Sequence, residues 1–185
     1  MSATKFDHHA DRDALIFYLG DYLPWSWHKA GGGDGSNYPS YSGRILDLKE
    51  SKAASLKRFE ELLLGEIKRE YIGVTAVPSH DPEKGINTGV RLLAKQVASK
   101  LRVVDGRAFL RRTYKIDKLA GGGDRSLKVH LDSLCAENSD QFAGGTVLLL
   151  DDVLTSGNSL VACRQKLLDA GAKEVVCVAL GRTKN

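Results

Sequence analysis

Asp151 and Asp152 stand side by side behind an apolar run, Thr146-Val147-Leu148-Leu149-Leu150, and ahead of Val153-Leu154-Thr155-Ser156-Gly157-Asn158-Ser159. Two adjacent carboxylates at the end of a buried strand are costly unless something hydrogen-bonds or neutralises them. A ribose diol can donate to them, and a nearby Mg²⁺ can offset their charge. The next residues are small, hydroxylated and glycine-containing, and they lead into a helix. Its N-terminus offers free N–H groups and the positive end of a dipole, which suit an anion. Gly157 lets the backbone approach a phosphate closely, while Thr155, Ser156 and Ser159 offer hydroxyl donors. Diol acceptor and phosphate cradle in one short stretch match a ribose 5-phosphate. The competing account, a helix capped by Ser156 or Asn158 beside a solvated acid pair, needs a separate reason for each feature.

The spacing also excludes other phosphate motifs. No G-x-x-x-x-G-K-[ST] occurs, and no G-x-G-x-x-G opens a helix after a strand. The AGGGD stretches beginning at Ala30 and Ala120 lack that context and read as loops.

A strand and a helix must position the acid pair, and the surrounding sequence alternates between the two. Residues 11–23 carry apolar side chains at helical spacing, with Asp11 or Asp13 as N-cap and Pro24 as terminator. Residues 24–44 read as irregular. A helix is predicted over 51–69, capped by Ser51, with Leu56, Phe59, Leu62, Leu63 and Ile67 on one face. A strand follows over 71–77, stopped by Pro78, and then a helix over 89–101. Residues 102–110 read as a short strand pair, or a strand with an Asp105-Gly106 turn. A flexible loop over 120–124 precedes a helix over 125–134. Residues 146–150 form a strand buried on both faces. A helix over 160–170, with Gly171 just past its end, leads to a last strand over 174–180.

That order predicts an α/β fold: an open, mainly parallel sheet with helices on both faces and right-handed crossovers. Such sheets bind ligands at the carboxyl ends of their strands, here after Val77 and after Leu150. Residues 1–50 are expected to form an N-terminal helix and an irregular, hood-like segment. Residues 51–185 form the core, all within a single globular domain.

Composition narrows the class. The 185 residues are 42% hydrophobic and 27% charged, as in a soluble globular protein. The net charge of +4 favours anionic ligands, but no Lys/Arg block marks a nucleic-acid footprint. Cys135, Cys163 and Cys177 form neither a disulfide framework nor a zinc pattern and read as free thiols. No apolar run approaches a membrane span, and no signal peptide is evident, so a cytoplasmic location is expected. His8-His9 has no partner at metal-ligand spacing.

LLLDDVLTSGNSL, residues 148–160, resembles the motif that binds 5-phosphoribosyl-1-pyrophosphate (PRPP) in type I phosphoribosyltransferases. Ser156 and Ser159 replace common threonines, and Asn158 replaces a smaller residue. Val77-Pro78-Ser79-His80, then Lys84-Gly85-Ile86-Asn87, resembles the ComF-like, competence-associated branch. So do Tyr41-Ser42-Gly43 through Leu48-Lys49, and Arg111-Arg112-Thr113 with Leu119 and Arg125. The cysteine-rich zinc region common at the amino end of that branch is missing.

The resemblance implies Mg²⁺-dependent transfer of a phosphoribosyl group from PRPP to a nitrogen nucleophile such as a base. It implies Asp151, Asp152 and Arg112 as catalytic. Residues 151–159, from Asp151 through Val153, Leu154, Thr155, Ser156, Gly157 and Asn158 to Ser159, would bind ribose 5-phosphate. Ser79, His80, Asp81 and Lys84, with Arg112, Lys115 and Arg125 from a closing loop, would bind pyrophosphate. Mg²⁺ would be held mainly through the ligand, with Asp151 and Asp152 as candidate contacts. The hood would come from the amino end, where at most one of Trp25 and Trp27 faces the ligand. A non-catalytic PRPP- or nucleotide-binding regulator, linked to DNA uptake or processing, is the alternative. A homodimer is left open.

Overall fold

The computed structural model describes residues 9–11, 14–117 and 126–183. Its spine is β8 (Thr146–Leu154), whose interior side chains are buried on both faces. β8 pairs in parallel with β4 (Gly73–Ala76) on one side and β9 (Glu174–Thr183) on the other. The main sheet has the order β1 (His9–Asp11), β2 (Ile16–Tyr18), β9, β8, β4, β5 (Val104–Asp105), with β3 (Asp21–Tyr22) also pairing β9. All its pairings are parallel except β1 with β2. The expected open α/β architecture is therefore present.

The alternation of side chains along β8 divides the core in two. Leu148 and Leu150 face a cluster with Ile45, Phe59, Leu63 and Leu93. These come from α2 (Ser40–Lys49), α3 (Ala53–Glu66) and α4 (Gly89–Leu101). Val147 and Leu149 face Phe142, Leu160, Cys163 and Leu167. The last three belong to α6 (Asn158–Asp169). Helices thus cover both faces, as a parallel sheet requires.

Four expectations need correction. Residues 11–23 are not a helix. They hold β1 (His9–Asp11) in part, β2 (Ile16–Tyr18) and β3 (Asp21–Tyr22), and the last two extend the sheet beside β9. Ile16 and Phe17 are buried in opposite cores, so the run is apolar because both its faces are covered. A short run of that kind does not separate strand from helix by periodicity. Leu15, at φ +52°, lies outside the right-handed helical region.

Pro24 starts a helix rather than ending one, standing before α1 (Trp25–Ala30). Ser51 does not cap α3; it sits at φ +60°, and Lys52 precedes the helix without a side-chain cap. Residues 102–110 give β5 (Val104–Asp105) and the start of β6 (Leu110–Arg112). β6 pairs antiparallel with β7 (Leu134–Ala136), and α5 (Leu127–Ser133) runs directly into β7. This separate two-stranded ribbon was not anticipated. The expected loop over 120–124, together with Leu119 and Arg125, lies outside the described residues.

One close approach sets the cleft wall. A Cβ on Gly89 would lie 1.7 Å from the carbonyl oxygen of Leu48. Glycine therefore lets the end of α2 abut the start of α4, and this carries Lys49 to the carboxyl ends of the strands.

Candidate functional site

A cleft of about 660 Å³ opens at the carboxyl ends of β4 and β8. β8 continues through both aspartates to Leu154, pairing with β9 as far as Arg182. The acid pair therefore belongs to the strand, and the loop before the following helix shrinks to Thr155-Ser156-Gly157. Ladder hydrogen bonds hold the carboxylates more rigidly than a loop would.

Asp151 is buried, at 8% exposure. Its Oδ1 accepts from the Asp152 N–H at 2.9 Å, and its Oδ2 accepts from Ser159 Oγ at 3.4 Å. Burial, then the charge of Asp152, pushes the Asp151 carboxyl up to about 7. Asp152 is half-buried and faces Lys49 Nζ at 3.7 Å. The same ammonium lies 5.6 Å from the ring centre of Tyr22. Burial and the nearby Asp152 charge raise the Tyr22 hydroxyl as well.

Gly157 takes φ +81° immediately before α6, where no side chain caps the helix. A β-carbon is strained in that conformation. Thr155 Oγ1 lies 3.1 Å from Thr183 Oγ1, tying the loop to the end of β9. Ser156 Oγ accepts from the Asn158 N–H at 3.5 Å. Asp151, Asp152, Val153, Thr155, Ser156, Gly157 and Ser159 all line the cleft, while Leu154 and Asn158 do not.

The loop after β4 forms the facing wall. Ser79, His80 and Lys84 line the cleft. Asp81 does not; it caps a 3₁₀ turn and pairs with Lys115 at 2.8 Å. The Lys115 hydrogen bond and charge hold the Asp81 carboxyl below its usual range. The Ile116 N–H donates to the His80 carbonyl at 3.0 Å. Residues 115–116 are thus drawn to this loop, although Lys115 does not reach the cleft.

Arg112 is placed differently from expectation. It is buried beneath the loop, with Nε donating to the Ser79 carbonyl at 3.0 Å. Its Nη1 donates to Ser133 Oγ at 2.5 Å, and its Nη2 lies 2.9 Å from His130 Nδ1. A guanidinium held by three partners at 5% exposure is not a mobile anion clamp. Arg111 is exposed and paired with Glu137.

Several cleft residues were not foreseen as site residues: Tyr22, Lys49, Thr88, His130 and Thr183. Thr88 Oγ1 is buried without a hydrogen-bond partner. Trp27 lines the cleft and is 48% exposed. Trp25 instead packs edge-on against Tyr38, 5.0 Å between ring centres.

Among the described residues, no group of three or more His, Cys, Asp or Glu side chains is arranged to hold a metal. Two adjacent carboxylates suit Mg²⁺ only when ligand oxygens complete the coordination. The acid pair fits a metal that arrives with a phosphorylated ligand.

The sequence model of the phosphoribosyl transferase domain matches residues 85–184, more than half of the chain. The chain belongs to the phosphoribosyl transferase domain family. Its chemistry is therefore of the phosphoribosyl-transfer kind, and the match spans α4, β8, the Thr155-Ser156-Gly157 loop, α6 and β9. No curated protein matches the chain at a significant level. No helix among the described residues is long and apolar enough to cross a membrane.

Proposed function

We propose that this phosphoribosyltransferase binds PRPP with Mg²⁺ and transfers the phosphoribosyl group to a nitrogen nucleophile, a base. The observation that carries the reading is the shared cleft. Asp151 and Asp152 stand beside a glycine-containing loop at a helix N-terminus, opposite the loop bearing Ser79, His80 and Lys84. A 5-phosphate suits Thr155, Ser156, Gly157 and Ser159, and the ribose diol suits the two carboxylates. Pyrophosphate suits the facing loop, with Lys84 as its cation.

In the reaction the C1–oxygen bond to pyrophosphate breaks and a C1–nitrogen bond forms. Positive charge builds on the ribose ring in an oxocarbenium-like transition state. Asp151 and Asp152 hold the diol and stabilise that charge, and diol donation favours the ionised form of Asp151. Mg²⁺, bound with the ligand, supplies neutralisation of the leaving oxygens. The chain's own work is positioning and charge stabilisation, with no covalent intermediate. Trp27, Tyr22 and Lys49 form the amino-end wall where the base would sit. The order of the motifs over residues 77–87 supports a place in the ComF-like branch.

Pyrophosphate release from PRPP, measured with a panel of free bases, tests this. At least one base should support turnover, and Asp152→Asn should cut the rate by about a hundredfold or more. Heat stabilisation by PRPP without turnover on any base would reject catalysis and favour the regulatory alternative.

A further inference from the structure

We infer that a second ligand site, separate from the cleft, lies between α2 and α3 and takes a small phosphate monoester with a flat, apolar body. A cavity of about 250 Å³ opens there, lined by Ser40, Tyr41 and Arg44 from α2 and by Arg58, Phe59 and Leu62 from α3. It shares no lining residue with the cleft. Helical spacing explains the grouping. Tyr41 and Arg44 stand three apart on one helix, Arg58 and Leu62 four apart on the other, so each pair shares a face.

The lining has two chemical halves. Tyr41 and Leu62 are partly buried, with Phe59 fully buried behind them. The Tyr41 hydroxyl donates to the Leu180 carbonyl at 2.6 Å, and its ring meets Phe59 edge-on, 5.7 Å between centres. That fixes the ring and satisfies its polar end within the protein, so it offers the cavity apolar surface. Both arginines are exposed. Among the described residues no carboxylate pairs with Arg44, and Arg58 meets only Glu61, at 3.8 Å. An exposed pair of that kind contributes little. The cavity therefore keeps positive charge that the fold does not neutralise, beside an apolar floor. A guanidinium presents a planar fork that matches phosphate oxygens bidentately, and Ser40 adds a hydroxyl donor. A ring joined to a phosphate uses both halves, whereas a bare anion or a neutral ring uses one. The volume lies just below that of pockets for drug-sized ligands, so the body must be small.

This inference goes beyond the proposed function and does not rest on it. Amide ¹H–¹⁵N spectra of the full-length protein, recorded with PRPP and Mg²⁺ present to fill the cleft, locate the binding of phenyl phosphate. The signals of residues 40–44 and 58–62 should move, and phenyl phosphate should bind about tenfold or more tightly than inorganic phosphate. Arg44→Gln combined with Arg58→Gln should weaken phenyl phosphate by about tenfold or more, at an unchanged melting temperature because neither side chain is buried. Movement confined to residues 79–84 and 155–159, or no movement, overturns the inference. Equal binding of the two phosphates overturns it too, as does undiminished binding by a double variant that melts like wild type. A protein that ignores PRPP yet shows the shifts at 40–44 and 58–62 upholds this site and rejects the proposed function.

Discussion

Asp151 carries a stability signature that is separable from its chemistry. Its carboxyl is held near 7, above the ordinary 3.8, so between these values the folded chain binds more protons than the unfolded one. Stability therefore falls as pH rises through that window and levels off above it. Asp151→Asn removes the ionisation. The variant should be clearly more stable than wild type at pH 8 and nearly equal at pH 4. Urea unfolding at the two pH values measures the difference. The Lys49 ammonium favours the ionised pair, so Lys49→Met should move the end of the falling window to higher pH. The acid pair and the glycine loop were legible in the sequence because they are contiguous. Lys49, Tyr22 and His130 were not, since the fold alone brings residues 22, 49 and 130 to residue 151.

Elements were legible where one pattern had one meaning. α4 occupies the predicted residues because its apolar stripe faces a single core. Residues 146–150 were read as a doubly buried strand, but Asp151 and Asp152 looked like a boundary and concealed four more strand residues. Residues 11–23 misled because strands buried on both faces mimic a helical stripe. The β6–β7 ribbon was hidden because short strands leave little pattern, and it is this ribbon that brings Arg112 under residue 79. The junction of α2 and α4 is the element-level device most exposed to test. Gly89→Ala puts a methyl into the Leu48 carbonyl, so the helices must separate. A loss of about 2–4 kcal/mol in urea unfolding is expected, with weaker PRPP binding as Lys49 shifts. An unchanged midpoint would show that the contact is not tight in solution.

At the level of the whole chain, β8 is shared by both cores and ends in the cleft, so the core and the proposed ligand site use one strand. β9 is in turn covered by β2 and β3 from the amino end. Deleting residues 1–23 would strip Ile16, Phe17 and Tyr22 from the cores and expose β9 as an edge. The shortened chain should lose cooperative unfolding, as followed by circular dichroism. Sharp two-state melting at the wild-type temperature would instead mark the amino segment as an appendage. Architecture at this scale was readable, because alternating strands and helices admit few packings, whereas the origin of the cleft wall depended on the misread amino segment.

A phosphoribosyl site in this cleft is tested by the melting temperature of the full-length protein with PRPP and Mg²⁺, with ribose 5-phosphate, and with neither. Saturating PRPP should raise it by several degrees and ribose 5-phosphate by less, because only PRPP spans both loops. Gly157→Glu, which puts a β-carbon and a negative charge into the Thr155-Ser156-Gly157 loop, should abolish both shifts. No shift with either ligand in the wild-type protein would contradict a phosphoribosyl site in this cleft.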